Sequence, residues 1–150
     1  MKRSRSGFTI IEIMTVMMIM AIVLAFALPK FNSLRNSGRV GSAKIQMSTS
    51  LTTARAAAIQ NGRPSRWSVS GNTVTLEAQN AAGNYAKVGV PVDYYTQYSV
   101  SLSANPSTIN FDGRGIATGL SATAKVYVRG ITTDSICVTR LGVVLRNGCL

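Results

Sequence analysis

The sequence predicts an α+β chain: one long N-terminal helix, its first half fit to cross a membrane, packed on a C-terminal antiparallel β-rich head. Three observations carry this expectation. Phe8–Leu28 is a 21-residue stretch whose only polar members are Thr9, Glu12 and Thr15. From Val40 to Ala58 apolar or small residues recur at steps of three and four, the repeat of one helix face. After Pro64 the pattern changes to short alternating segments divided by Gly, Asn and Pro turns.

Residues 1–7 read as a basic leader with Lys2, Arg3 and Arg5. The positive-inside rule keeps such a leader cytoplasmic and sends the rest of the chain across. As a helix, Phe8–Leu28 would be about 31 Å long, matching a hydrocarbon core of about 30 Å. A secretory signal peptide is the alternative. It has a shorter apolar region, and Ala25-x-Ala27 is an imperfect cleavage site for one. Glu12 is the anomaly, because a carboxylate at the centre of a span costs about 2.5–3.5 kcal/mol, and less near an end. Either it reaches the headgroups, or it pairs with a positive charge inside the membrane or an assembly. A cut between Gly7 and Phe8 would put a new amino group one helical turn from Glu12. It would also leave Glu12 in the first turn, where the helix dipole favours an anion.

The helix is expected to continue past the membrane. Pro29 removes one backbone hydrogen bond and should bend or loosen it there. Beyond it, Val40, Ala43, Met47, Leu51, Ala54 and Ala58 form the buried stripe. Gly38 and Gly41 weaken the helix locally, and Asn61-Gly62-Arg63-Pro64 ends it. Arg35, Arg39, Lys44 and Arg55 read as a solvated face. The expected organisation is a leader at 1–7, a membrane helix at 8–30, an amphipathic second half at 31–62, and a β-rich head at 63–150.

In the head, Trp67 and Val69 alternate, Ser70-Gly71-Asn72 turns, and Val74 and Leu76 alternate, which predicts a hairpin. Further expected strands are Val88–Val90, Tyr94–Leu102, Thr108–Phe111, Lys125–Val128, Ser135–Val138 and Val143–Leu145. Loops are expected at Asn80–Asn84, Asn105-Pro106 and Asp112–Gly115.

Composition removes most catalytic chemistry. The chain has 150 residues, 46% hydrophobic and 14% charged, with no histidine. That excludes Ser-His-Asp and Cys-His nucleophiles and histidine-ligated zinc. Two cysteines cannot build a four-cysteine metal site. The acidic residues show no paired spacing, and there is no phosphate-loop motif. The expectation is a non-enzyme with no cofactor and no metal.

The N-terminus also carries a family resemblance. Lys2-Arg-Ser-Arg-Ser-Gly7, then Phe8-Thr-Ile-Ile-Glu12, then an apolar helix ending Ala27-Leu-Pro29, resembles a type IV prepilin leader. The resemblance implies cleavage between Gly7 and Phe8 by a prepilin peptidase and methylation of the Phe8 amino group. It also implies a single-pass protein of the bacterial inner membrane, with its head in the periplasm. The apolar helix would pack among other pilin-like subunits, where Glu12 neutralises a subunit's N-terminal amine. Leu51–Pro64, Ile109–Gly115 and Ile136–Gly142 resemble the FimT/GspH group of minor pilins and pseudopilins. Ala57 departs from the acidic residue common in that group after the helix arginine, Arg55 here. The implied role is a minor pilin of a type IV pilus. The alternative is a GspH-like pseudopilin of a type II secretion system with a purely structural role.

Cys137 and Cys149 would then lie in an oxidising compartment. A bond between them would close a loop of about 13 residues and contribute roughly 3 kcal/mol in the chain-entropy model. A redox or metal role lacks a Cys-x-x-Cys motif and supporting histidines.

Sixteen basic residues against five acidic ones give a formal charge of +11. Lys and Arg neutralise phosphates without reading sequence. Duplex DNA is therefore a candidate partner of the head, as it is for DNA-capturing members of the FimT branch. Those use a Gly-Arg-x-Arg pattern; here Gly142 is followed by Val143, with Leu145 at the second arginine position and Arg140 and Arg146 flanking. The candidate contacts are Arg114, Lys125, Arg129, Arg140 and Arg146. Arg63 and Arg66 beside Trp67 suggest a stacking platform, although a Trp on an alternating strand also suits a core.

Overall fold

The computed structural model describes residues 8–146 and divides the chain into two compact units, on either side of Arg35–Asn36. One helix, α1, runs from Ile10 to Asn61, 52 residues. The helix continues through Pro29, which has no N–H to donate to Ala25 O. In the first unit the apolar residues of α1 are exposed, Ile10 at 82% and Phe26 at 75%.

The second unit is built on the other end of α1. The six stripe positions Val40, Ala43, Met47, Leu51, Ala54 and Ala58 are all buried, as their spacing predicts. Two antiparallel sheets share that core. The strands of the first are β1 (Ser65–Ser70), β2 (Thr73–Gln79), β3 (Tyr85–Lys87), β4 (Val92–Asp93), β6 (Thr108–Phe111) and β7 (Ala117–Thr118). They are ordered β3-β2-β1-β6-β7, with β4 paired to β2. The second sheet is ordered β10-β9-β8-β5, from β5 (Ser101–Asn105), β8 (Ala124–Arg129), β9 (Thr133–Val138) and β10 (Val144–Leu145). Trp67, Ile109 and Phe111 of one sheet and Val126, Val128, Ile136 and Val138 of the other bury against the helix stripe. The α+β class, with a long N-terminal helix and an antiparallel head, is the one the sequence predicts.

Some local expectations fail. Val88–Val90 is not a strand; the third strand is Tyr85–Lys87. Gly89, at φ 77°, turns the chain out of the extended region just after Val88 N–H bonds to Leu76 O. Tyr94–Leu102 is not one strand either. Asp93 caps a short helix, α2 (Tyr94–Tyr98), accepting from Tyr95 N–H at 2.9 Å and from the Thr96 hydroxyl at 2.8 Å. The strand begins only at Ser101. β7 had no sequence signal beyond two small residues. It is held by pairing with β6 and by Ala117 N–H donating to Arg140 O, 3.1 Å.

Candidate assembly segment and basic head surface

At the N-terminus, Thr9 caps α1. Glu12 N–H donates to Thr9 O at 3.1 Å and to Thr9 Oγ1 at 3.3 Å, and Ile13 N–H to Thr9 O at 3.3 Å. The cap fixes Phe8 just outside the helix and Glu12 in its first turn. Glu12 is exposed among exposed apolar side chains, with no ion-pair partner among the described residues. Gly7 and the leader lie outside the described residues. One described helix, α1, is long and apolar enough to cross a membrane.

In the head, the charges expected on a solvated helix face are partly engaged. Lys44 Nζ stands 2.8 Å from Asp134 Oδ2 on β9. Partial burial would raise the Asp134 carboxyl, but the Lys44 hydrogen bond, the Ser135 N–H and the Lys44 charge hold it below its ordinary value. Arg55 Nε donates to Gly115 O at 3.0 Å, fastening α1 to the Asp112–Gly115 turn. A Cβ on Gly142 would stand 2.0 Å from Gly115 O, so the Thr139–Gly142 turn closes on the same place. The solvated-face reading therefore fails for Lys44, which β9 reaches through Asp134, and for Arg55, which the Asp112–Gly115 turn reaches.

Trp67 is fully buried and donates Nε1–H to Ser50 Oγ at 3.0 Å. It offers no stacking platform. Arg66 instead lies over the Tyr85 ring at 4.3 Å and 3.7 Å from Glu77.

Two comparisons bear on identity. Residues 2–28 match the model of the prokaryotic N-terminal methylation motif. The type IV minor pilin FimU of Pseudomonas aeruginosa superposes in one crystal form with a TM-score of 0.60 and 13% identity, over 75% of this chain and 90% of that one. A second crystal form gives 0.56 and 14%, over 72% and 92%. The chain thus joins a prokaryotic N-terminal methylation motif to the fold of a type IV minor pilin. No curated protein matches it in sequence.

The pilin-like head does not gather its five candidate cations into one cluster. Arg114 is bound by Asp112 of its own turn, 3.0 Å away. The Ile116 N–H, foremost, and the Arg114 contacts hold the Asp112 carboxyl below its ordinary value. Lys125 and Arg129 lie at opposite ends of β8, Arg140 in the turn after β9, and Arg146 just after β10. Lys125, Arg129, Arg140 and Arg146 are exposed and have no carboxylate partner among the described residues. Cys137 is wholly buried, yet it stands outside the core cluster and pairs with Lys125 and Leu145. Cys149 lies outside the described residues. Sequence reading missed the Arg55–Gly115–Gly142 junction; Asp112-Gly-Arg-Gly115 read only as a loop.

Proposed function

We propose that this chain is a minor pilin, a subunit of a type IV pilus. It enters the inner membrane through the first part of α1, with its head in the periplasm. A prepilin peptidase cuts between Gly7 and Phe8, and the Phe8 amine is methylated. Glu12 then compensates the amine of a neighbouring pilin-like subunit as the helix moves from lipid into the filament. The observation that carries this reading is the methylation motif on a capped apolar helix that continues into a FimU-like head. Mass spectrometry of protein from its native membrane should find an N-terminus at Phe8, methylated. An N-terminus at Met1 or near Pro29 would reject it. Glu12→Ala should leave processing and membrane insertion intact and reduce incorporation into sheared filaments. Equal incorporation of mutant and wild type would remove Glu12 from assembly.

A second reading adds duplex DNA, bound weakly and without sequence preference. It is favoured by the disposition of charge. Each of the four head carboxylates is engaged within the chain: Glu77 near Arg66, Asp93 at the α2 cap, Asp112 with Arg114, and Asp134 with Lys44. The exposed cations at 125, 129, 140 and 146 are thus uncompensated among the described residues. A gel shift of the detergent-solubilised full chain at low salt should show binding that falls steeply with salt. No shift at low salt removes DNA from the function.

A further inference from the structure

The two sheets differ in how their solvent faces are charged. On the six-stranded sheet, Arg66 pairs with Glu77 across β1 and β2, and Glu77 pairs with Lys87 across β2 and β3. Directly paired residues of an antiparallel sheet share a face, so this face carries both signs. On the four-stranded sheet, β8 sends Ala124, Val126 and Val128 into the core and leaves Lys125, Tyr127 and Arg129 outside. The register sets Ser101, Ser103 and Asn105 of β5, and Thr133, Ser135 and the buried Cys137 of β9, beside them, with Cys137 next to Lys125. No Asp or Glu stands on that face among the described residues. Asp134 pairs with Val128 and belongs to the opposite face, where it holds Lys44.

Lys125 and Arg129 are four residues apart on one strand, so their Cα atoms lie about 13 Å apart. Tyr127 stands between them, and the Arg129 guanidinium lies 5.8 Å from its ring centre, within cation–π range. Arg and Lys flanked by Ser, Thr and Tyr hydroxyls are the groups that hold phosphate oxygens. The other candidates are less well placed. Arg114 is neutralised by Asp112, and the stretch from Arg140 to Arg146 is filled by Leu141, Val143, Val144 and Leu145.

We propose that the outer face of the β5–β8–β9 sheet, with Lys125 and Arg129 flanking Tyr127, is where the head takes the phosphate backbone of duplex DNA. This rests on the DNA reading above and places it on a surface other than the C-terminal turn.

The test is an anisotropy titration of a short labelled duplex with the full chain in detergent, across a range of salt. Lys125→Gln with Arg129→Gln should weaken binding about tenfold at low salt. It should also flatten the log–log salt slope by about two, since each phosphate contact contributes about 0.9. Arg140→Gln with Arg146→Gln should weaken it less than threefold. The charge-keeping pair Lys125→Arg with Arg129→Lys should bind like wild type. Loss confined to the Arg140/Arg146 variant overturns the placement while the DNA reading stands. No binding by wild type removes both. If the Lys125/Arg129 variant loses anionic phosphatidylglycerol vesicles but keeps DNA, the face is a lipid contact and the proposal is overturned.

Discussion

Tyr94 is fully buried and its hydroxyl has no hydrogen-bond partner among the described residues. Its neighbour Ser50 accepts from Trp67 and donates to Met47 O at 2.8 Å. Burial pushes the Tyr94 phenol up. An orphaned buried hydroxyl contributes desolvation cost and no compensating bond. Tyr94→Phe should therefore leave the melting temperature unchanged or raise it slightly, by up to about 1 kcal/mol in stability. A loss of more than that would reveal a hydrogen bond to Tyr94. The carboxylates behave oppositely. Asp93, Asp112 and Asp134 are all held below their ordinary values, Asp93 chiefly by the Thr96 hydroxyl. A depressed folded-state value means stability that is present above the ordinary carboxylate range and is lost as pH falls through the depressed one. Urea midpoints should thus hold from neutral pH down to about 4 and drop below it. Asp134→Asn should make that drop shallower.

The elements divide by whether local signals agreed with tertiary demand. In α1, Gly38 and Gly41 have nothing within 4 Å of an added Cβ. Replacing each with Ala should stabilise the helix by up to about 1 kcal/mol, read as helical circular dichroism retained to higher temperature. Gly142 is the contrary case, at φ 75° and against Gly115 O. Gly142→Ala should lower the melting temperature sharply, with the β9–β10 end loosening first in hydrogen exchange. The helix stripe and the β1–β2 hairpin were legible in the sequence because periodicity and burial coincide there. Tyr94–Leu102 was misread because its β-prone tyrosines outweighed one cap, Asp93, whose effect depends on two bonds to the next turn. The leader motif was legible, and residues 2–28 match the N-terminal methylation motif. The Arg55 junction was not, because a backbone carbonyl 60 residues away leaves no mark in sequence.

Across the whole molecule, charge and covalent closure are the properties left to test. We propose that Cys137 and Cys149 pair, which would account for a cysteine buried on the side of β9 away from the core. Thiol labelling of the unfolded, unreduced protein should find no free cysteine, and Cys137→Ser with Cys149→Ser should cost about 3 kcal/mol. Two labelled thiols would reject the bridge. The way α1 enters the head has a mechanical consequence. Val40, Ala43, Met47, Leu51, Ala54 and Ala58 lie along one line of the helix, with both sheets contributing to the core they enter. A pull along the helix axis would load this row in shear, so that all six contacts must slide together before any one is free. Lys44–Asp134 and Arg55–Gly115 act as cross-pins near the two ends of the row. A pull across the axis would open the row one contact at a time. We infer that the head resists tension along its own helix better than sideways peeling.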